Sequence, residues 1–371
     1  MKNDYEIVIV GAGIIGLSIA KSLSEENYNS VLVIDKAGTY GRGISSRNSE
    51  VIHSGIYYQN NTLKSKLCIE GNKKLYSFCK DYSIWNKRCG KIIIGQKHQS
   101  DIIYNLYKNA KVNNIGEVKI LKKNDISNYE SLIHGDIALH ITSTGIVSSH
   151  EVMDRLYNIS CNSQHDYLFK STFLKAKKNL KGYKIELENY SGQIETVTSD
   201  WVINCAGLYS DLININEKEH PGIYFSKGSY FKLSSKWKNK FQHLVYPIPN
   251  EKNKSLGIHL TIDKDGFIRL GPNAYKIQNK VEDYSVDSNQ KNDFYEEAKK
   301  YIKNLKVSDL EPDYSGIRPK INSANNSSSD FYIKNEENSG FPKWINLIGI
   351  ESPGLTASLA IGDHVVKIIK N

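Results

Sequence analysis

The most regular hydrophobic pattern lies in the first 35 residues. Tyr5 to Val10 is a continuous apolar run rich in β-branched residues, which predicts a buried parallel strand. The turn Gly11-Ala-Gly-Ile-Ile-Gly16 follows, and apolar residues then recur at helical spacing. Val31 to Ile34 is a second apolar run, and it ends at Asp35. This order of strand, turn, helix and strand predicts a βαβ unit.

Beyond this unit, apolar segments alternate with polar, glycine-containing stretches. Residues 42–58 are too polar and irregular for a long element, and residues 322–330 (NSANNSSSD) predict a surface loop. Helices are predicted at Leu63 to Tyr82, Asp101 to Lys111, 150–160, Asp293 to Leu305 and Leu355 to Ile369. Strands are predicted at Lys91 to Ile94, Leu168 to Lys175, Tyr183 to Glu188, Ile194 to Val197, Trp201 to Ala206, Gly222 to Leu233, His243 to Tyr246, Gly257 to Ile262, Gly266 to Leu270 and Trp344 to Ile348.

The glycine turn carries the first chemical signal. Gly11 permits a tight exit from the strand, Gly13 lets the backbone approach a pyrophosphate, and Gly16 lets helix and strand pack closely. The helix N-terminus offers free N–H groups and partial positive charge to phosphate oxygens. Asp35 follows the second strand, where a carboxylate can accept hydrogen bonds from an adenosine ribose. The turn therefore predicts a dinucleotide site, but it does not distinguish NAD from FAD.

Charge and cysteine content exclude several other classes. The 371 residues include 49 basic and 40 acidic residues, a net charge of +9. The lysines are scattered and no recognition motif accompanies them, so nucleic-acid binding is not expected. The five cysteines are odd in number and lack metal-ligand spacing, which predicts a reducing compartment and no metal site.

The location expected from the sequence is cytoplasmic. No apolar run reaches the roughly 18 residues of a spanning helix. Asp4 and Glu6 precede the first apolar run, where a secretory signal would carry positive charge. The basic surface charge leaves open a peripheral position at the inner face of an anionic membrane.

A second group of motifs selects the cofactor. The string from Ser45 to Tyr58 (SSRNSEVIHSGIYY) resembles the flavin-contacting loop of the D-amino-acid-oxidase-like FAD oxidoreductases. Within that superfamily it is similar to the L-2-hydroxyglutarate dehydrogenase family, whose loop reads N-S-x-V-I-H-x-G-x-Y-Y. Val202 to Gly207 is similar to the second FAD-contact turn of the superfamily. Segments similar to the narrower family follow in order along the chain: Lys227 to Phe231, Leu244 to Pro249, Gly257 to Thr261, Gly271 to Asn273, Gly316 to Pro319 and Gly349 to Thr356.

The resemblance implies an α/β fold of two interleaved domains. One is a Rossmann-like FAD-binding domain of the glutathione-reductase type, assembled from residues 1–83, 143–218 and 311–371. The other is a β-rich α+β substrate domain, assembled from residues 84–142 and 219–310. FAD is expected to bind non-covalently. The residues expected to bind it are Gly11, Gly13, Gly16, Asp35, Lys36, Ser45, Ser46, Arg47, Asn48, Ser49, Ala206, Gly207, Gly349, Pro353, Gly354, Leu355 and Thr356.

Candidate catalytic residues follow from the same motifs. His53 lies in the loop expected at the flavin, and His259 lies on a predicted substrate-domain strand; either imidazole can accept a hydroxyl proton, or can be structural. Arg318 can hold a substrate carboxylate through a bidentate fork, or can form a structural ion pair. Tyrosine hydroxyls can add hydrogen bonds to the substrate, and the candidates are Tyr58, Tyr230 and Tyr246.

The function implied is oxidation of a small 2-hydroxy acid, with L-2-hydroxyglutarate favoured and a quinone, an electron-transfer protein or oxygen as electron acceptor. Alternatives are a flavoenzyme acting on an amino acid or glycerol 3-phosphate, an NAD-dependent dehydrogenase, and a non-enzymatic flavin-binding redox module. Two positions depart from the family pattern. Asp35 replaces a longer Glu, and Glu50 stands where the family often has Gly. Negative charge at Glu50 would disfavour a dicarboxylate if it faced the substrate.

Overall fold

The protein is described by a computed structural model that covers residues 2–213, 221–248, 257–322 and 330–371. Pro249, the predicted boundary at residue 218 and most of the predicted loop 322–330 lie outside these ranges. The described residues form seven α-helices: α1 (Ile14–Glu25), α2 (Leu63–Asp81), α3 (Ser100–Val112), α4 (Lys123–Tyr129), α5 (Ser149–Asn162), α6 (Lys291–Ala298) and α7 (Gly354–Lys370). None of these helices is long and apolar enough to cross a bilayer.

The strands are short, and most of them belong to two large sheets. In chain order, those within the described ranges are β1 (Tyr5–Val10), β2 (Val31–Asp35), β3 (Val51–Ile52), β4 (Asn86–Lys87), β5 (Lys91–Gly95), β6 (Val118–Lys122), β7 (Ile137–Ile141), β8 (Gly145–Val147), β9 (Asp166–Phe169), β10 (Thr172–Lys178), β11 (Tyr183–Glu188), β12 (Ile194–Asn204), β13 (Ile223–Leu233), β14 (Leu244–Pro247), β15 (Leu260–Ile262), β16 (Ile268–Leu270), β17 (Tyr275–Ile277), β18 (Leu310–Ile321), β19 (Tyr332–Asn335) and β20 (Trp344–Ile348).

The first sheet has a parallel centre. Strands β9, β2, β1, β12 and β20 lie side by side and parallel, and β19 pairs antiparallel with β20. The amino-terminal half of β12 continues into an antiparallel meander with β11 and β10. Ile7, Ile9, Ile203 and Ile345 pack in one core beneath α1 and α7. The apolar runs of these strands are continuous because both faces of the parallel sheet are covered.

Helices α1 and α7 pack tightly against each other over the first sheet. A Cβ at Gly362 of α7 would lie 2.5 Å from the Ser18 carbonyl oxygen of α1. The absence of a side chain at Gly362 therefore sets the approach of the two helices. The N-terminal turn of α7 lies against β3, where Thr356 Oγ1 donates to the Val51 carbonyl oxygen.

The second sheet is mixed and supplies most of the other face of the site. Its strand order is β17-β13-β16-β15-β14-β5-β7-β6, and β18 pairs along the full length of β13. Strand β5 lies between β14, to which it is parallel, and β7, to which it is antiparallel. Strands β3, β8 and β4 form a third, small sheet.

Four details of the predicted elements are corrected. The runs at Ile194 and Trp201 are one strand, β12, whereas Leu168 to Lys175 is divided between β9 and β10 on different edges. Helix α6 ends at Ala298, because Tyr301 and Ile302 turn into the core. Strand β18 was not predicted; its prolines are compatible with an edge position. The mixed α/β architecture predicted from the sequence is confirmed.

Sheet membership also bears on the predicted division into domains. Residues 310–321 pair with β13 in the second sheet, although the division groups the chain from residue 311 onwards with the first. We therefore assign β18 to the second unit, and the rest of the division remains a prediction.

Candidate active site

The carboxyl ends of the parallel strands form one edge of the first sheet, and four predicted segments meet there. Gly11 follows β1, Asp35 ends β2, Ala206 and Gly207 follow β12, and Gly349 follows β20. In open α/β sheets this edge is where ligands bind. The topology thus brings together residues that are far apart in the sequence.

Steric contacts explain the glycines of the first turn. Gly11 has a φ of +110°, and a Cβ there would lie 2.4 Å from the Cys205 carbonyl oxygen. A Cβ at Gly16 would lie 1.9 Å from the Gly11 carbonyl oxygen, so helix and turn are in contact. Helix α1 has no side-chain cap at Gly13 and no acidic residue in its first turn. Apart from the Ile14 N–H, which donates to Ser45 Oγ, its positive N-terminal end is therefore available to a phosphate.

Asp35 is held by the backbone of the turn. Its carboxylate accepts hydrogen bonds from the N–H groups of Ala12 at 2.7 Å and Ala37 at 2.8 Å. Burial raises the pKa of Asp35, and these two hydrogen bonds oppose that rise. Each carboxylate oxygen keeps a second lone pair, which a ribose hydroxyl can use.

Lys36 is directed elsewhere. Its ammonium lies 3.3 Å from the Glu282 carboxylate and 3.6 Å from the centre of the Tyr209 ring. These contacts link β2 to the segment before α6 and give no support to a role in cofactor binding.

The loop 43–49 closes against the start of α1. Ser45 Oγ accepts a hydrogen bond from Ile14 N–H at 2.9 Å, and Asn48 Nδ2 donates to the Ser45 carbonyl oxygen at 2.7 Å. Tyr314 of β18 donates to the Asn48 carbonyl oxygen at 2.7 Å, which ties the loop to the second sheet. Gly43, with a φ of +70°, has nothing within 4 Å of an added Cβ. Open space therefore remains beside this loop.

The remaining loop residues contact protein groups. Ser46 Oγ donates to the Gly43 carbonyl oxygen at 3.3 Å, and the Arg47 guanidinium lies 4.1 Å from the centre of the Tyr284 ring. Ser49 Oγ is hydrogen-bonded to Tyr230 OH at 2.9 Å. These contacts fix the loop between the two sheets.

The turn before α7 presents a second uncapped helix end. Pro353 precedes α7, which begins with Gly354 and Leu355 and has no side-chain cap and no acidic residue in its first turn. Thr356 Oγ1 accepts a hydrogen bond from His53 N–H at 2.9 Å and donates to the Val51 carbonyl oxygen at 3.2 Å. The helix end and the histidine loop are therefore fixed to each other by one hydroxyl.

These features fit a dinucleotide cofactor with a flavin. One helix N-terminus, that of α1, stands at the glycine turn, where a pyrophosphate would lie. The other, at α7, can stabilise negative charge on a flavin ring. Gly43 and Gly207 border the space between them, and a Cβ at Gly207 would meet only Ile44 Cδ1, at 3.3 Å.

Both predicted histidines lie at the junction of the two sheets. Burial lowers the pKa of each to about 3; Lys91 and His259 contribute for His53, and Lys91 and Arg318 contribute for His259. His53 Nε2 lies 3.2 Å from Ser352 Oγ. The structure thus brings His259 within electrostatic reach of both His53 and Arg318, and both imidazoles are neutral at pH 7.

The tautomer of His259 is fixed by its surroundings. Its Nδ1 lies 3.1 Å from the Gly257 carbonyl oxygen, and a carbonyl can only accept, so Nδ1 carries the proton. Its Nε2 is therefore an unprotonated acceptor. The ring stacks on Tyr246, with centroids 3.9 Å apart. This tautomer presents a lone pair to a substrate hydroxyl, while the lowered pKa makes the imidazole a weak base as long as no anion offsets Lys91 and Arg318.

Arg318 and the tyrosines complete the predicted set. Arg318 Nη2 donates to the Asn273 carbonyl oxygen at 2.9 Å, which leaves its other N–H groups for a ligand. Tyr230 OH already contacts Ser49, whereas Tyr246 OH is buried without a partner among the described residues. Tyr58 OH contacts the Ser352 side chain, and burial raises its pKa.

Sequence reasoning missed two charged features. Lys91 opens β5 and its ammonium faces the rings of Tyr57 and Tyr246. Glu351 is buried and lies 2.8 Å from Lys320 and 3.2 Å from Lys64. Burial opposes ionisation of Glu351, but the two lysines outweigh it and lower the pKa of the carboxyl. The one available signal for Lys91 was a lysine at the start of the apolar run Ile92 to Ile94.

The structure also corrects the expectation for Glu50. Its φ is +56°, the conformation that glycine adopts most easily. Its carboxylate accepts hydrogen bonds from Ser149 N–H at 2.9 Å and Ser149 Oγ at 2.8 Å, at the start of α5. The Glu50 carboxylate therefore interacts with the N-terminus of α5 and does not act against a dicarboxylate ligand.

Several known proteins are similar to this chain in sequence or in fold. The family model described as FAD dependent oxidoreductase matches residues 6–368. The mitochondrial L-2-hydroxyglutarate dehydrogenase of Arabidopsis thaliana is 32% identical, over 98% of this chain and 83% of the relative. A glycerol 3-phosphate dehydrogenase of Caloramator mitchellensis is 29% identical, over 99% and 74%. The FAD-bound L-alpha-glycerophosphate oxidase of Mycoplasma pneumoniae has a similar fold, with a TM-score of 0.87, 21% identity and coverage of 99% and 94%.

Proposed function

Because the chain belongs to the family of FAD-dependent oxidoreductases, we propose that it oxidises the secondary alcohol of a small 2-hydroxy acid, L-2-hydroxyglutarate before others, to the 2-oxo acid. FAD, when bound, supplies the acceptor for the hydride that leaves C2. The protein supplies the groups that bind the acid and take the hydroxyl proton.

The observation that carries the proposal is that Arg318 lies within electrostatic reach of the buried His259, whose Nε2 is free to accept a proton. Arg318 influences His259 electrostatically, so a carboxylate on Arg318 brings the adjacent alcohol towards His259. The unprotonated Nε2 of His259 then accepts the hydroxyl proton as the C–H bond breaks. Two electrons leave the substrate with the hydride, and the proton stays on the imidazole.

His53 is the second candidate for the proton acceptor. Its backbone is tied to Thr356, so it lies at the helix end expected to face the flavin. Among the described residues, its ring contacts Ser352 Oγ and no carbonyl oxygen, and because a hydroxyl can donate or accept, this contact does not fix the tautomer. We therefore favour His259 as acceptor and assign His53 to positioning.

Anaerobic titration of the holoenzyme with L-2-hydroxyglutarate tests the proposal. We expect the flavin absorbance to bleach with this acid and to stay unchanged with the D-enantiomer. Glycerol 3-phosphate is the necessary comparison because a 29% identical relative is named glycerol 3-phosphate dehydrogenase. Amino acids are the other alternative substrates. Bleaching by glycerol 3-phosphate alone would contradict the proposal. Admitting oxygen, or a quinone, afterwards identifies the electron acceptor from the rate at which the absorbance recovers.

The same titration separates the two histidines. In His259→Gln the reduction rate should fall about 100-fold or more while FAD stays bound, since general-base catalysis is lost. In His53→Gln we expect a smaller fall. A larger effect at His53 with normal FAD binding would exchange the two roles.

A further inference from the structure

Lys91 is a buried cation on β5, an interior strand of the second sheet that lies between β14 and β7. It is 1% exposed, and every residue of β5 is buried. Its Nζ lies 4.6 Å from the centre of the Tyr246 ring and 4.7 Å from that of Tyr57. Aromatic faces attract an ammonium group, but they leave its three N–H donors unused.

No carboxylate of the described residues pairs with Lys91. Burial lowers its pKa to about 7, and the Cys68 thiol acts in the opposite direction. That thiol does not compensate the charge, because burial raises the pKa of Cys68 well above neutral pH. Buried Lys227, in contrast, lies 2.7 Å from Asp283. An unpaired buried ammonium costs stability, which a protein seldom bears without a ligand.

The surroundings of Lys91 are those of the active site. Its charge lowers the pKa of both His53 and His259, and Arg318 acts on the same His259 imidazole. The hydroxyls of Tyr57 and Tyr246 are buried without partners among the described residues. Two cations and two free hydroxyls therefore converge on the place where the alcohol would react.

We propose that Lys91 binds the second carboxylate of a dicarboxylic 2-hydroxy acid while Arg318 binds the carboxylate beside the alcohol. This inference rests on the proposed function for the identity of the reacting group, and on the geometry alone for the preference for a dianion. A substrate with one carboxylate leaves Lys91 unpaired. Lys91 therefore determines the chain length and the charge of the substrate that the site prefers.

A pair of non-reacting ligands tests the inference without turnover. Glutarate and valerate each have five carbons, with two carboxylates and one. Their dissociation constants follow from the perturbation of the flavin spectrum of the holoenzyme. We expect glutarate to bind more tightly than valerate. In Lys91→Met the affinity for glutarate should fall about 10- to 100-fold, because one charge-assisted hydrogen bond is lost. The affinity for valerate should stay unchanged.

Controls separate this effect from a general loss of charge or fold. Lys119 is exposed on β6 of the same sheet, and Lys119→Met should leave both constants unchanged. If Lys91→Met fails to bind FAD, Lys91→Gln replaces it. The wild-type protein gives an independent readout. At pH 8 glutarate should bind with proton uptake by Lys91 and valerate without it. Besides the cationic guanidinium of Arg318, the ionisable groups there are Cys68, Tyr57, Tyr246, His53 and His259, and these are neutral.

The outcomes distinguish this inference from the proposed function. Equal binding of glutarate and valerate by the wild type overturns it, and so does equal weakening of both in Lys91→Met, which would assign Lys91 to the flavin. If glutarate preference depends on Lys91 but L-2-hydroxyglutarate does not reduce the flavin, the dicarboxylate site stands and the proposed reaction fails.

Discussion

Lys64 and Lys91 are both buried, yet the protein treats their charges differently. Lys64 is 7% exposed and lies 3.2 Å from the Glu351 carboxylate, which Lys320 also contacts. Lys91 is 1% exposed and has aromatic rings but no carboxylate beside it among the described residues. A buried charge that is neutralised within the chain holds the structure together. One that is left unneutralised at the site marks where a ligand of opposite charge belongs.

Breaking the neutralised pair should have the largest effect on stability. Glu351→Gln leaves Lys64 buried without a counter-charge, so we expect a loss of about 3–5 kcal/mol in the free energy of unfolding. Urea unfolding measures it, with FAD at one fixed excess because ligand binding adds to stability. A loss under about 1 kcal/mol would show that water reaches this cluster.

Removing the unneutralised charge should act in the opposite direction. Lys91 has a pKa of about 7 in the folded protein against 10.5 ordinarily. Between these values the unfolded chain holds one more proton, so the free energy of unfolding rises with pH by about 1.4 kcal/mol per unit. The Lys91→Met variant lacks this pH dependence and should have a larger free energy of unfolding at pH 7 than the wild-type protein. Urea unfolding of both proteins from pH 7 to 9 checks it, and parallel curves would contradict it.

The smallest effect is expected at a third buried lysine. Lys227 is 2% exposed, but its partner Asp283 is a surface residue with half of its side chain exposed. In Asp283→Asn water can replace the lost carboxylate, so the destabilisation should be clearly smaller than in Glu351→Gln. Thermal unfolding of the two variants under the same conditions compares their destabilisation. An equal destabilisation would show that the Lys227–Asp283 pair stabilises the fold as much as the Lys64–Glu351 pair does.

The backbone-determined half of the site was readable from the sequence. Gly11, Gly13 and Gly16 predict a tight turn, because only a residue without a side chain permits contacts such as that of Gly16 with the Gly11 carbonyl oxygen. The closing helix was equally clear, since its apolar face repeats at helical spacing. Local patterns report local geometry, and these elements are local.

The side-chain half was not readable. Lys91 is one of 49 basic residues, and its role depends on Tyr246 of β14 and on His259. His259 was predicted on a strand, but it lies just before β15, which begins at Leu260. The outward turn of Glu50 follows from a backbone angle that the sequence does not display. Strand β18 was hidden because its prolines argue against a strand unless its place at an edge is known.

The contact between α1 and α7 has a consequence for how the protein is made. During synthesis α1, β1 and β12 leave the ribosome long before β20 and α7, which cover them. Until then α7 does not cover the apolar face of the first sheet, and this face is exposed to other nascent chains. Biosynthesis that stalls before Trp344 should therefore yield aggregates or chaperone-bound chains rather than a smaller folded protein.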